Sequence, residues 1–148
     1  MNNKWQGFTL IEMLLVLFIV SILMAYPMLH KGSWQVRQQE DYFFFELSYQ
    51  LYLTQESAIY AHKSTRVTPL MSEKKIIFTY YNQHGQRVEE NLELPASVAL
   101  ANQMAITFSP GSGTINKISS IAFTTNYQEG KITYQYYIGS GRFVKKKS

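Results

Sequence analysis

The stretch Phe8-Thr-Leu-Ile-Glu-Met-Leu-Leu-Val-Leu-Phe-Ile-Val-Ser-Ile-Leu-Met-Ala-Tyr26 decides how this chain is read. Only Thr9, Glu12 and Ser21 interrupt its apolar and aromatic run. At ~1.5 Å rise per residue, a helix over residues 8–26 nearly matches the roughly 30 Å hydrocarbon core of a bilayer. Pro27 then punctuates the run. Residues 1–7 carry one cation, Lys4, which favours a cytoplasmic N-terminus and an external C-terminal part. A secretory signal peptide fits poorly, because its apolar region is usually only ~7–15 residues long. Its best cut, after Ala25, would place Leu23 where a small residue is preferred. A plain signal anchor explains length and orientation but leaves Glu12 unexplained.

A carboxylate in hydrocarbon costs on the order of 2.5–3.5 kcal/mol on insertion scales. Glu12 can snorkel toward the cytoplasmic interface, or it can meet a cation when subunits associate. Within its own chain the nearby positive groups are Lys4 and any amine that a cut would create.

Lys4-Trp-Gln-Gly7-Phe8-Thr9-Leu10-Ile11-Glu12-Met13-Leu14-Leu15 resembles the class III signal of type IV pilins and pseudopilins. The shared features are a short basic leader, Gly before the cut, Phe after it, then Thr-Leu-Ile-Glu and an apolar helix. The resemblance is sharp over the first part of the chain and architectural beyond it. It implies cleavage between Gly7 and Phe8 by a membrane prepilin peptidase, followed by N-methylation of Phe8. It also implies that Glu12 pairs with the Phe8 amine of a neighbouring subunit during assembly. Two charges stranded in a low dielectric attract strongly while either alone is costly, so such a pair sets register. Some tip pseudopilins lack this Glu, so its presence suggests a subunit able to stack beneath another.

Beyond Pro27 the chain reads helical to about His62. Phe44, Leu47, Leu51, Ala58 and Ala61, with Thr54 in the gap, mark one helical face, while Gln38, Gln39, Glu46, Gln50 and Glu56 occupy others. Pro27 and Gly32 suggest a bend between the two helical parts. The block Tyr42-Phe43-Phe44-Phe45 is expected to pack on a sheet. From Arg66 the period becomes two. Residues 74–81 and 86–94 flank the turn Asn82-Gln-His-Gly85 and read as a hairpin. Further alternation places Met104, Ile106 and Phe108 on one face, then Ile121 with Phe123, then Ile132, Tyr134, Tyr136 and Ile138. Gly139-Ser-Gly141 is read as the end of order.

The expected fold class is α+β, a long N-terminal helix packed on a small antiparallel sheet, which matches the pilin-like fold of the resembled family. The expected organisation is a cleaved leader at 1–7, a transmembrane and filament-core helix at 8–26 and an amphipathic continuation at 27–64. A β head at 65–141 and a basic tail at 142–148 follow.

The 148 residues carry a net charge of +4 and no Cys. That size suits one domain, and the missing Cys removes disulfides and thiolate chemistry. His30, His62 and His84 are scattered, so no metal is expected. Asp41 is the only aspartate, and Glu89 and Glu90, adjacent on a strand, point to opposite faces. There is no Gly-x-Ser-x-Gly elbow and no phosphate loop. Neither enzymatic activity nor a cofactor is expected. The basic tail and the many tyrosines leave direct DNA contact as the weaker partner reading, because strand periodicity already accounts for the tyrosines.

The resemblance therefore implies a minor pseudopilin, most similar to the ComGD-type competence pseudopilins of Gram-positive bacteria, which act in DNA uptake. A minor pseudopilin of a type II secretion system is the alternative, and a membrane-anchored surface binding domain is the second. Implied partners are other major and minor pseudopilins, the prepilin peptidase, and indirectly an assembly ATPase and a platform membrane protein. The implied location is the membrane before processing and a surface filament after it.

Overall fold

The computed structural model describes residues 9–29, 31–126 and 130–148, with side chains described except over 25–33. The fold is α+β: two helices, α1 (Leu10–Leu29) and α2 (Lys31–Tyr60), precede eight strands. The strands are β1 (Thr65–Leu70), β2 (Lys75–Tyr81), β3 (Arg87–Glu93), β4 (Val98–Leu100), β5 (Ile106–Phe108), β6 (Ser119–Thr125), β7 (Gly130–Tyr136) and β8 (Phe143–Lys147). The chain divides into two compact units, Met1–Gln35 and Val36–Ser148.

In the C-terminal unit the strands form two antiparallel four-stranded sheets rather than the single small sheet expected. Their orders are β3-β2-β1-β5 and β4-β6-β7-β8. The expected hairpin is β2–β3, with Tyr81 opposite Arg87 and Lys75 opposite Glu93. Gly85 takes a φ of 73° in its turn, a conformation glycine adopts without strain. Pro69 sits inside β1 but beyond the register with β5, which covers only residues 65–67, so no ladder bond is lost on that side.

The buried side of α2 packs on both sheets. Phe44, Leu47, Leu51, Thr54 and Ala58 are buried as the sequence pattern requires, while Ala61, the last residue of the expected stripe, lies beyond α2 and is half-buried. The buried apolar residues join Val67, Ile76, Phe78, Ile106 and Phe108 of one sheet and Ile121, Phe123, Ile132, Tyr134 and Tyr136 of the other in one core. Phe44 meets Phe123 edge-on at 5.6 Å, and Phe108 meets Tyr136 across the two sheets at the same separation. These edge-to-face pairs add to what area burial alone contributes. Several polar groups in the core are tied to the backbone. The Thr54 hydroxyl donates to the Gln50 carbonyl at 2.7 Å, and the Thr65 hydroxyl donates to the Thr54 carbonyl at 2.7 Å. Ser57 fixes α2 to the end of β2, donating to the Tyr81 carbonyl and accepting from its amide.

Several expectations are corrected. Residues 143–147 are not a loose tail. They form β8, paired with β7 from Tyr136 opposite Phe143 to Ile132 opposite Lys147. Phe143 supplies the anchor, packing on Tyr134 at 5.0 Å and on Tyr136 at 5.8 Å. The lysines then occupy a sheet edge, where charge discourages further pairing. Gln50, expected on a polar face, is buried. Within the aromatic block, Phe43 and Phe44 are buried while Tyr42 and Phe45 are exposed. Met104 and Ile138 lie outside β5 and β7 and are exposed.

Candidate functional site

Thr9 caps the start of α1, a role that its residue type suits. Its carbonyl accepts from the amides of Glu12 at 3.0 Å and Met13 at 3.2 Å, and its hydroxyl accepts from the Glu12 amide at 3.4 Å. Thr9-x-x-Glu12 is thus a cap of the Thr/Ser-x-x-Glu kind. The Glu12 side chain lies in the first turn, where the helix dipole favours a carboxylate. Glu12 is exposed and has no side-chain partner among the described residues. The sequence reading gave Glu12 an assembly role and missed Thr9, although the Thr-x-x-Glu spacing is itself a helix-start signal.

Past Glu12 every described large side chain of α1 is apolar and exposed, from Met13 to Met24. Ser21 hides its hydroxyl by donating to the Leu17 carbonyl at 2.7 Å, so it presents little polarity. A helix apolar on all sides is stable only within lipid or within other protein. The described side chains of α1 end at Met24, short of the ~20 apolar residues a span requires, and among the described residues no helix is long and apolar enough to cross a membrane.

Gly7 and Phe8, the expected cleavage and methylation residues, lie outside the described residues, as does His30. Pro27, expected to follow the helix and bend it, lies inside α1, which continues to Leu29.

The rest of the chain offers little chemistry. Among the described residues no group of His, Asp and Glu could hold a metal. Tyr80 donates to Glu90 at 2.8 Å, and burial, reinforced by that bond, pushes its phenol up to about 12. Lys145 lies over the Phe44 ring at 5.0 Å and the Tyr134 ring at 5.6 Å, and burial lowers its pKa. These are packing interactions of the head.

Residues 4–26 match the model of the prokaryotic N-terminal methylation motif. The chain thus carries a prepilin-type signal, which supports a type IV pilin-like reading and implies processing by a prepilin peptidase. No curated protein and no solved structure matches the chain.

Proposed function

We propose that this chain is a type IV pilin-like subunit, a minor pseudopilin of a competence pseudopilus that serves DNA uptake. The observation that carries it is the methylation motif over residues 4–26 leading into an α1 helix whose described large apolar side chains, Met13 to Met24, are exposed. In this reading the peptidase cuts between Gly7 and Phe8 and methylates Phe8. The apolar helix spans the membrane before assembly and becomes filament core afterwards. Glu12 meets the Phe8 amine of a neighbour, which relieves both stranded charges at one register. The capping geometry supports this role, because Thr9 holds the first turn without using the Glu12 carboxylate. The two-sheet head resting on α2 is consistent with a pilin-like fold. The subunit performs no catalysis and works mechanically, drawn into a filament by an assembly ATPase acting through a platform protein.

Deleting the gene and assaying transformation and protein secretion side by side tests the choice of machine. Loss of transformation alone is expected. Loss of secretion alone would assign the subunit to a type II secretion system, and loss of neither would remove it from both.

A further inference from the structure

The sheets end on β3 and β5 in one case and on β4 and β8 in the other. β3 carries Arg87, Glu89, Glu90 and Glu93, and β8 carries Lys145, Lys146 and Lys147, charges that blunt an edge against further pairing. β5, Ile106-Thr107-Phe108, carries none. Its neighbour sets which of its backbone groups face outward. Pro69 of β1 has no amide, so the β1–β2 ladder runs through Arg66, Thr68 and Leu70, while Thr65 and Val67 turn to β5. Their partners Phe108 and Ile106 turn inward to meet them. Thr107, between those two, therefore directs its amide and carbonyl away from β1.

A groove of about 260 Å³ lies along this open side. Ala105, Thr107 and Ser109 line it together with Asn116, Lys117 and Ser119. The two stretches are arms of one loop. Its tip is closed where the Ser109 amide donates to the Thr114 carbonyl at 2.8 Å and the Ser109 hydroxyl donates to the Asn116 side chain at 3.3 Å. Below the tip β5 joins β1 while β6 joins β7, so the arms part and leave a slot where the two sheets diverge.

Hydrogen bonding decides what the slot accepts. The Ser64 hydroxyl donates to the Phe108 carbonyl at 3.2 Å, and the Ser119 hydroxyl donates to the Lys117 carbonyl at 3.1 Å, so both protons are used within the head. The groups left for a ligand include the Thr107 amide, the Thr107 carbonyl and the Lys117 ammonium, which is exposed and has no partner among the described residues. Arg66, opposite Thr107 in the register and on the same sheet face, is exposed and equally unpartnered among the described residues. No carboxylate lines the groove. A free anion would satisfy Lys117 but leave the Thr107 carbonyl unmet. An extended peptide meets both backbone groups at once, and an acidic side chain on it meets the cations.

We propose that the open side of β5 binds an extended, carboxylate-bearing segment of a partner protein, which joins the four-stranded sheet as an added strand. The site lies wholly within the C-terminal unit and does not depend on the filament reading.

The test is fluorescence anisotropy of a labelled, end-blocked hexapeptide of alternating glutamate and valine, titrated with the full chain in detergent micelles. Saturable binding is expected, weakened about tenfold by Lys117→Glu and less by Lys117→Gln, as like charge across an interface dictates. Thr107→Pro removes only the outward amide, so it should abolish binding while thermal unfolding stays near that of the wild type. N-methylating the peptide amides removes the ladder from the ligand side and should abolish binding to the unaltered protein. Absence of saturable binding, equal binding of a lysine–valine hexapeptide, or full binding by a folded Thr107→Pro would each overturn the proposal. So would an N-methylated peptide that binds undiminished and is displaced by inorganic phosphate, which marks a simple anion site.

Discussion

Glu40→Leu is expected to stabilise the C-terminal unit, an unusual result for removing a charged residue. Glu40 is 0% exposed, and neither carboxylate oxygen has a hydrogen-bond partner. Leaving a buried polar group unmade costs about 1–3 kcal/mol, and more when the group is charged. Leucine has a similar length and would extend the apolar face formed by Phe43, Phe44 and Leu47. A gain of about 2 kcal/mol follows from losing that penalty, somewhat offset by imperfect shape at the new branch. For a domain near one hundred residues each kcal/mol moves Tm by roughly 4–8 °C, so the shift should approach 10 °C. The assay is thermal unfolding of the full chain in detergent micelles, followed by near-ultraviolet circular dichroism of the core aromatics. Glu40→Gln, which removes charge but keeps polar atoms, should recover less than half the gain. A loss of stability in Glu40→Leu would refute the reasoning, because it would mean that the carboxylate is satisfied where it lies.

Further outcomes are expected elsewhere in the chain. Gly141→Ala should destabilise the head by about 1–3 kcal/mol, since a Cβ there would overlap the Gly113 carbonyl oxygen and the Gln55 amide; chemical denaturation of both forms measures it. The raised pKa of Tyr80 means that the folded state favours the neutral phenol, so its contribution is intact below pH 10 and lost as pH climbs toward about 12. Tyr80→Phe should therefore flatten the alkaline stability profile in that window, and an unchanged profile would contradict the assignment. Glu12→Ala should leave leader cleavage intact yet lower recovery of the subunit in sheared filaments; equal recovery of mutant and wild type would refute its assembly role.

How much of this was legible in the sequence depended on how local each signal was. The β2–β3 hairpin was plain because two alternating runs flank a turn ending in Gly85. The inward stripe of α2 was plain because Leu47, Leu51, Thr54 and Ala58 follow helical spacing. The division into two sheets was hidden because alternation marks a strand but not its partner, and β4 is only three residues long. β8 was misread because three consecutive lysines resemble a solvated end. Only tertiary pairing with β7 and the packing of Phe143 make it a strand. Glu40 gave no signal at all, because a carboxylate near the start of a helical stripe is ordinarily solvated. At the N-terminus the reverse held: the motif was read from residue types alone, and its scissile residues lie outside the described part of the structure.

The central claim is that the N-terminal segment is a processing and assembly signal, and the mass of the mature N-terminus tests it most directly. The chain is purified from cells that contain a prepilin peptidase and examined intact and after proteolysis. The predicted result is loss of residues 1–7 and a new N-terminal Phe8 bearing one added methyl group. An intact leader, or an unmethylated end produced by a cut elsewhere, would contradict it.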